Sequence, residues 1–467
     1  MAGNFYEVLS AGFVAERDCF RLPGGRAVTY GELAKATGAA AARLRAGGLI
    51  PGDRVALISE KSWEVVAVYL ATLQAGGVFV PLNPGYTPAE LDYFLGDCRP
   101  KVVVRDPPDF VAGALAAGFG EDGVAPRAPG DTASIVYTSG TTGRSKGAML
   151  THGGLAANGE AVRRAWGFTG DDVLLHALPV FHVHGLYIAL HCALLSSSPM
   201  IWLPKFTEAE VLAGLSDATV LMGVPTFYTR LLAHPGFTRE AAAGVRLFVS
   251  GSAPLLPSTF DAFEARMGRR ILERYGMSEA LVITTNPLEG QRLGGSVGFP
   301  LEGMEVRIAG GAEVGGIEIR GESILSGYWE QPDKTAEAFT ADGWFVTGDV
   351  GRLDGDGRLW ISGREKDLII TGGFNVYPKE IELILDELPG VVESAVVGLP
   401  HPDFGEAVTA IVLGEGDEAA ILAAARDSLA SYKTPKRVLF VADLPRNAMG
   451  KVQKNLLRAQ FGGLYTA

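Results

Sequence analysis

Short apolar runs alternate with longer Ala- and Leu-rich stretches over most of this chain. The short runs are rich in β-branched residues, a pattern that predicts buried strands. Strands are predicted at residues 54–58, 77–81, 102–104, 134–137, 219–222 and 247–250, with a helix at 62–76 between the first two strands. Because strands that alternate with helices form largely parallel sheets covered by helices, the predicted fold class is α/β.

The pattern changes after Met304, where short strands and Gly/Asp turns predict a small β-rich subdomain. From Gly363 onward a separate α+β unit is expected. It has predicted helices at 378–388 and 418–431 and predicted strands at 394–398 and 408–413. The predicted domains are therefore a large N-terminal domain of αβ-layered subdomains, residues 1–362, and a small C-terminal domain, residues 363–467.

The 467 residues carry a net charge of −12, and 47% of them are hydrophobic. An apolar content this high excludes a disordered chain. The negative charge argues against a nucleic-acid-binding protein, because phosphate backbones are bound by basic surfaces. It does not argue against a nucleotide ligand, since a few cations and backbone N–H groups can hold phosphates inside an acidic protein.

The three cysteines, Cys19, Cys98 and Cys192, are widely spaced and odd in number, which favours a reducing compartment. The first residues lack the basic start and apolar run of a signal peptide. The longest apolar stretch, residues 183–195, is shorter than the roughly 20 residues that a membrane span requires. A cytoplasmic protein without a membrane span or an obligate protein partner is expected.

The most informative segment is Tyr137-Thr-Ser-Gly-Thr-Thr-Gly-Arg-Ser-Lys146-Gly147. It follows a predicted buried strand and combines glycines, hydroxyls and two cations in one loop. Glycine lets backbone N–H groups approach an anion, hydroxyls donate to phosphate oxygens, and the cations offset the negative charge. The spacing does not fit a Walker A loop in any register. The segment predicts a phosphate-binding loop of another kind, with a flexible linker as the alternative.

This loop resembles the signature of the adenylate-forming superfamily, which includes acyl-CoA synthetases, adenylation domains of peptide synthetases, and luciferases. Six further segments match motifs of that superfamily in their order: Pro179-Val-Phe-His182, Gly251-Ser-Ala-Pro-Leu255, Arg274-Tyr-Gly-Met-Ser-Glu279, Thr347-Gly-Asp349, Gly363-Arg-Glu-Lys-Asp367 and Asn447-Ala-Met-Gly-Lys451. The resemblance covers nearly the whole chain. It implies that ATP activates a carboxylic acid as an acyl-adenylate and that the acyl group then passes to a thiol, most simply that of coenzyme A.

The resemblance also implies catalytic roles. Lys451 would contact the substrate carboxylate and the α-phosphate, where a fixed ammonium stabilises the negative charge of the transition state. His182 would lie near the carboxylate, and Glu279 would bind Mg²⁺. The alternatives are a surface lysine at position 451 and a helix-capping carboxylate at position 279.

The implied ATP site contains the loop residues, the two motifs near the adenine, the ribose contacts and the catalytic lysine. Its members are Thr138, Ser139, Gly140, Thr141, Thr142, Gly143, Lys146, Ser252, Ala253, Arg274, Tyr275, Gly276, Met277, Ser278, Asp349, Arg364 and Lys451. Tyr275 would lie against the adenine, while Asp349 and Arg364 would contact the ribose. Lys366 would be the hinge about which a mobile C-terminal domain turns, and Gly372 and Gly373 would line the path of coenzyme A.

The acid itself is indicated by segments that resemble malonyl-CoA synthetases, at residues 181–185, 223–232, 246–253, 390–395 and 401–405. A dicarboxylate needs a cationic partner for the carboxylate that does not react, and a bidentate arginine suits it. Arg230 and Arg292 are the candidates, with His184 as a further contact. Arg230 has a helix-surface position as its alternative.

Other activities stay open at this point. A medium- or long-chain fatty-acid–CoA ligase would need an apolar tunnel in place of the arginine. A carrier-protein-loading adenylation enzyme is a further alternative, although no carrier domain follows Ala467 in this sequence. A catalytically silent relative is disfavoured because Lys146, Glu279, Asp349 and Lys451 are all present.

Overall fold

A computed structural model of the protein describes residues 3–120, 123–138, 145–446 and 452–465. The chain divides into two compact units, Met1–Val306 with Ile319–Phe345, and Arg307–Glu318 with Val346–Ala467. The domain boundary after residue 362 and the hinge at Lys366 stay predictions. None of the helices in the described part of the chain combines the length and the apolar character needed to cross a lipid bilayer.

The secondary structure alternates between strands and helices along most of the chain. The strands are β1 Asp18–Arg21, β2 Ala27–Thr29, β3 Arg54–Ile58, β4 Val78–Leu82, β5 Val102–Val104, β6 Thr132–Thr138, β7 Lys146–Thr151, β8 Leu174–His176, β9 Met200–Trp202, β10 Val220–Gly223, β11 Leu247–Ser250, β12 Leu272–Met277, β13 Leu281–Thr285, β14 Ser296–Pro300, β15 Met304–Ile308, β16 Gly315–Gly321, β17 Gly327–Tyr328, β18 Phe345–Leu353, β19 Leu359–Arg364, β20 Ile369–Thr371, β21 Phe374–Val376, β22 Val391–His401, β23 Gly405–Gly414 and β24 Arg437–Val441. The α-helices are α1 Phe5–Ser10, α2 Tyr30–Ala46, α3 Trp63–Gln74, α4 Pro88–Cys98, α5 Pro107–Ala116, α6 His152–Ala165, α7 Leu190–Ser196, α8 Glu208–Gly214, α9 Pro225–Ala233, α10 Pro257–Met267, α11 Pro332–Glu337, α12 Pro378–Leu385, α13 Glu418–Ser428 and α14 Lys454–Phe461.

One sheet of the first unit has the order β17-β7-β6-β4-β3-β5. Strands β3, β4 and β5 pair in parallel, as do β4 and β6, whereas β7 runs antiparallel to both β6 and β17. Helix α3 connects β3 to β4, and all of its residues except Glu64 are buried. This crossover explains why the sequence reads as a continuous apolar stretch here. The strands predicted at 54–58, 77–81, 102–104 and 134–137 and the helix at 62–76 are confirmed.

The first unit also contains the series β14-β13-β12-β11-β10-β8-β9-β1-β2. Strands β9, β8, β10, β11 and β12 pair in parallel in that order, whereas β12 and β13 pair antiparallel. The apolar side chains of β10 and β11 join a core with α9 and α10 that contains Leu221, Tyr228, Phe248 and Phe263. Because parallel strands end at the same edge, the segments that follow β8, β10 and β11 are placed along one edge of this sheet. The strands predicted at 219–222 and 247–250 are confirmed.

In the second unit, β18 pairs antiparallel with β19, and β20 to β24 form a sheet of order β21-β20-β23-β22 with β24 parallel to β23. Helices α12 and α13 cover this sheet through Ile381, Leu385 and Ile421. The predicted helices and strands of this region are confirmed, although α12 ends at Leu385 and α13 at Ser428. The predicted α/β fold class, with a small additional C-terminal α+β unit, is confirmed.

Candidate active site

The two strands that flank the predicted phosphate loop are held by α4. Thr138 ends β6 and pairs in antiparallel register with Lys146, the first residue of β7. The Tyr137 hydroxyl donates to Asp97 Oδ2 at 2.5 Å, and the Tyr93 hydroxyl donates to the carbonyl oxygen of Ser145 at 2.8 Å. Burial, and then the neighbouring Asp97, raise the pKa of Tyr137 well above its usual value, so the hydroxyl keeps its proton. The flanks of the loop are therefore fixed by two tyrosine hydrogen bonds.

Some predicted ATP-site residues lie outside the described part of the chain. They are Ser139, Gly140, Thr141, Thr142, Gly143 and Lys451. Their predicted roles stay predictions.

Tyr328 lies between Lys146, at the start of β7, and Glu279. The Lys146 ammonium lies 4.7 Å from the centre of the Tyr328 ring, and the Tyr328 hydroxyl lies 3.5 Å from Glu279 Oε1. Burial and the negative charge of Glu279 raise the pKa of Tyr328 well above its usual value. Glu279 itself is buried, at 8% exposure. A cation and a buried carboxylate that share one aromatic neighbour suit a ligand with phosphates and a counter-ion.

The hairpin of β12 and β13 carries the predicted Arg-Tyr-Gly-Met-Ser-Glu motif. Arg274 and Tyr275 are buried on β12, Gly276 and Met277 end that strand, and Ser278 precedes Glu279 in the turn. Leu281, at the start of β13, has a φ of 60°. That left-handed conformation is unfavourable for leucine, and such strain is concentrated at functional sites.

A second strained residue, Ser252, follows the end of β11 with a φ of 72°. Its Oγ lies 3.2 Å from Nδ1 of His184, while the next residue, Ala253, is exposed. His184 begins a π-helix, His184–Ala189, in which Leu190 N–H donates to the carbonyl oxygen of Gly185. Single π-helical turns are rare and are frequently found at functional sites.

The two predicted histidines differ in environment. His182 is half-buried, and its ring centre lies 4.6 Å from that of Phe181. His184 is buried, and its Nε2 has no hydrogen-bond partner within the described residues. Burial, and then the positive charge of Arg274, lower the pKa of His184 well below its usual value. His184 is therefore a neutral ring with one nitrogen free for a ligand.

Across the part of the chain that the structure describes, the guanidinium of Arg274 lacks hydrogen-bond partners that its buried position would normally require. It is 4% exposed, and within the described residues its Nε and Nη2 have no hydrogen-bond partner. Burial lowers the pKa of its guanidinium to about 10, which still leaves it charged at neutral pH. A Cβ on Gly251 would lie 2.5 Å from Arg274 Cζ, so the guanidinium lies directly against the glycine backbone before Ser252. A buried cation without a partner is costly unless a ligand supplies the anion.

The two arginines predicted to bind the second carboxylate are both engaged elsewhere. Arg230 pairs with both carboxylate oxygens of Glu208, at 2.6 and 3.0 Å, and its side chain is 55% exposed. Arg292 donates to the carbonyl oxygens of Pro287, Leu288 and Arg270 at 2.6–3.0 Å. A guanidinium whose donors are satisfied in this way fixes the backbone around it. Their roles toward a substrate stay predictions.

The predicted residues of the second unit form a separate group. Asp349 and Arg364 face each other on β18 and β19, with Arg364 Nε 2.7 Å from Asp349 Oδ1. Lys366 lies in the short turn after β19, where burial lowers the pKa of its ammonium. Gly372 and Gly373, with φ of 57° and 84°, form the two-residue turn between β20 and β21. Glycine is the residue that such a hairpin turn favours.

Two residues of this region were not among the predicted site residues. Tyr328 lies between Lys146 and Glu279, and Lys61 contacts His176. The position of Lys61, a few residues after the predicted strand 54–58, is the one sequence feature that could have indicated it. No sequence signal marked Tyr328. Within the described residues, no group of three or more His, Cys, Asp or Glu side chains could hold a metal ion on protein ligands alone.

Comparison with known proteins agrees with these motifs. A family model described as AMP-binding enzyme matches residues 11–329, and one described as AMP-binding enzyme C-terminal domain matches residues 380–451. A malonate–CoA ligase of Arabidopsis thaliana is 35% identical over 98% of this chain and 89% of that protein. A feruloyl-CoA synthase of an Amycolatopsis species is 37% identical over 94% of this chain and 95% of that protein. Among solved structures, ATP-bound MatB of Rhodopseudomonas palustris is 46% identical, with 100% of both chains covered and a TM-score of 0.95. The resemblance to adenylate-forming enzymes is thereby confirmed, and the chain belongs to the family of AMP-binding enzymes.

Proposed function

We propose that this enzyme is an AMP-forming acid–thiol ligase that makes malonyl-CoA from malonate, ATP and coenzyme A. In the first step a malonate oxygen attacks the α-phosphorus of ATP, and pyrophosphate leaves. In the second step the sulfur of coenzyme A attacks the carbonyl carbon of malonyl-adenylate, the thiol loses its proton, and AMP leaves. The similarity to a malonate–CoA ligase over nearly the whole chain supports the proposal.

The proposal that the acid is malonate rests mainly on the environment of Arg274. Its guanidinium is buried, charged and without a carboxylate partner among the described residues, and His184 with its free Nε2 lies near it. A monoacid would leave that cation unpaired in the bound state. A dicarboxylate would place its second carboxylate there, and a guanidinium can hold a carboxylate through two parallel hydrogen bonds. We therefore propose Arg274 for the role that the sequence analysis gave to Arg230 or Arg292.

The chain's own residues divide the work of binding ATP. Lys146 would offset phosphate charge, and Tyr328 would hold the Lys146 side chain in place through its ring. Glu279 fits a Mg²⁺ ion that accompanies ATP, because Mg²⁺ is commonly bound by one or two carboxylates together with substrate phosphates. The ion would supply further positive charge. Asp349 and Arg364 would hold the ribose, and Lys451 the reacting carboxylate and α-phosphate.

A panel of acids tests this function. Pyrophosphate release and thioester formation are measured for the unmodified protein with acetate, butyrate, malonate, methylmalonate, ferulate and octanoate, each with and without coenzyme A. We expect malonate to be turned over with a kcat/KM at least about tenfold above that of butyrate, the effect of one well-placed charged hydrogen bond. Equal rates for malonate and butyrate would contradict the malonate assignment, and preference for octanoate or ferulate would replace it.

The predicted hinge is tested by a change at Lys366. Proline fixes φ, so Lys366→Pro should hinder rotation at this turn. We expect adenylate formation, measured by pyrophosphate exchange, to persist while thioester formation falls by about tenfold or more. Lys366→Ala is the matched control, because it removes the ammonium and leaves φ free. Normal thioester formation in the proline variant would place the hinge elsewhere.

A further inference from the structure

Lys61 is a half-buried lysine outside the predicted site. It follows β3, near the carboxyl end of that strand, and the structure gives its ammonium no carboxylate partner among the described residues. Its Nζ lies 4.1 Å from the centre of the Trp202 ring. Burial lowers the pKa of Lys61 well below its usual value. Withdrawing an ammonium from water costs free energy unless hydrogen bonds replace the lost water contacts, so the partners of this ammonium matter.

Within the part of the chain that the structure describes, the hydrogen bonds of Lys61 go to one residue, His176, at the end of β8. Nζ donates to the carbonyl oxygen of His176 at 2.6 Å and lies 2.8 Å from its ring Nδ1. Nε2 of the same ring lies 3.0 Å from the carbonyl oxygen of Gly185. A carbonyl oxygen can only accept, so Nε2 carries the proton. Burial, and then the neighbouring lysine, lower the pKa of His176 well below its usual value, so the ring is neutral and Nδ1 accepts from Lys61.

These hydrogen bonds lead from Lys61 through His176 to the π-helix that begins at His184. The carbonyl oxygen of Gly185 accepts from His176 and also from Leu190 N–H within the π-helical turn. A Cβ on Gly185 would collide with the carbonyl oxygen of Pro179, so the backbone here is closely packed. The hydrogen bonds from Lys61 through His176 therefore connect the segment after the carboxyl end of β3 to the residue next to His184.

We propose that Lys61 is a positioning residue that, through the neutral ring of His176, fixes the first turn of the π-helix and with it the orientation of His184. The inference rests on the proposed function of His184 as a contact of the acid. It does not depend on which acid is bound. Lys61 sets the direction of the His176 ring, the ring holds Gly185, and Gly185 determines where the free Nε2 of His184 points.

The test separates positioning from simple structural support. Lys61→Met keeps the aliphatic stem on Trp202 and removes the donor, and Lys35→Met on the exposed side of α2 is the matched control. The acid that the unmodified protein turns over fastest is used, so the result does not depend on malonate. In Lys61→Met we expect KM for the acid to rise by roughly tenfold, the effect of one charged hydrogen bond, while KM for ATP stays within about twofold of its normal value. In Lys35→Met both KM values should stay within about twofold.

A second pair of variants keeps the proposal testable if Lys61→Met folds poorly. His176→Gln retains a donor that can reach Gly185, whereas His176→Leu does not. We expect the glutamine variant to keep kcat/KM for the acid within about threefold and the leucine variant to lose roughly tenfold. Unchanged KM values in Lys61→Met, an equal rise of KM for acid and ATP, a fall in melting temperature alone, or equal losses in the two His176 variants would each overturn the proposal.

Discussion

The variant Arg274→Met is expected to lower kcat/KM for malonate by roughly 10² to 10³. Malonate would place its second carboxylate beside the Arg274 guanidinium, whose Nε and Nη2 have no hydrogen-bond partner among the described residues. Removing one partner of a buried ion pair costs on the order of 3–5 kcal/mol, which corresponds to a loss of this size in rate. Activity on acetate or butyrate should fall far less. It should rise if binding these acids in the unmodified protein costs free energy because the guanidinium stays unpaired. Steady-state pyrophosphate release with each acid measures the difference.

The same substitution separates binding from folding. Arg274 is buried, and two of its nitrogens have no hydrogen bond to any residue that the structure describes. Methionine should therefore leave the melting temperature of the free protein unchanged or raise it. Arg105→Met, an exposed surface change, is the control. A larger malonate loss in Arg230→Met or in an Arg292 variant than in Arg274→Met would return the second carboxylate to the arginines predicted from the sequence.

A second large effect is expected at Lys451. Lys451→Ala should lower adenylate formation by roughly 10² or more, the typical cost of losing a group that stabilises transition-state charge. Thioester formation from supplied malonyl-adenylate should continue, because that step no longer involves attack on phosphorus. The two half-reactions are measured separately, by pyrophosphate exchange and by thioester formation. An equal loss in both would contradict the assigned role.

The nearby Lys454 offers a contrast within the same segment. Its ammonium lies 2.6 Å from Oε1 of the buried Glu382, so its role in the described structure is to pair with that carboxylate. Lys454→Ala should therefore lower the melting temperature and change adenylate formation little. If both lysine variants lost adenylation to the same extent, the effect at Lys451 would reflect the fold of the segment and not the chemistry.

The strands at the centre of the fold could be predicted because burial on both faces leaves a direct trace in the sequence. β10 and β11 are short apolar runs between turn residues, and α3 is apolar on all sides because it packs between layers. The ends of helices and strands were predicted less accurately. α12 was predicted to reach residue 388 but ends at Leu385, as helix ends depend on local capping rather than on periodicity.

The pairing of charged side chains could not be predicted, because it depends on residues distant in sequence. Arg230 pairs with Glu208, 22 positions away, and Arg292 donates to the carbonyl oxygen of Arg270, also 22 positions away. Lys61 and His176 are 115 positions apart, and no local pattern joins them. The sequence identifies residue types that suit a chemistry, whereas only the fold shows which of them are already satisfied.

The π-helix at His184–Ala189 also limits how this chain can change in length. A π-helical turn holds one residue more than the α-helical spacing would, so deleting a single residue between Val183 and Leu190 would let the segment relax into an α-helix. That single deletion would leave the residues before the turn facing nearly as they do now, because the π-helical turn holds its extra residue without turning them. A second deletion would turn them by about 100°, since the buried side chains of α7, Leu190, His191 and Cys192, are fixed in the core. His184 would then face away from Ser252. Length changes other than that single deletion are expected to be absent from this stretch in any homologue that keeps the activity.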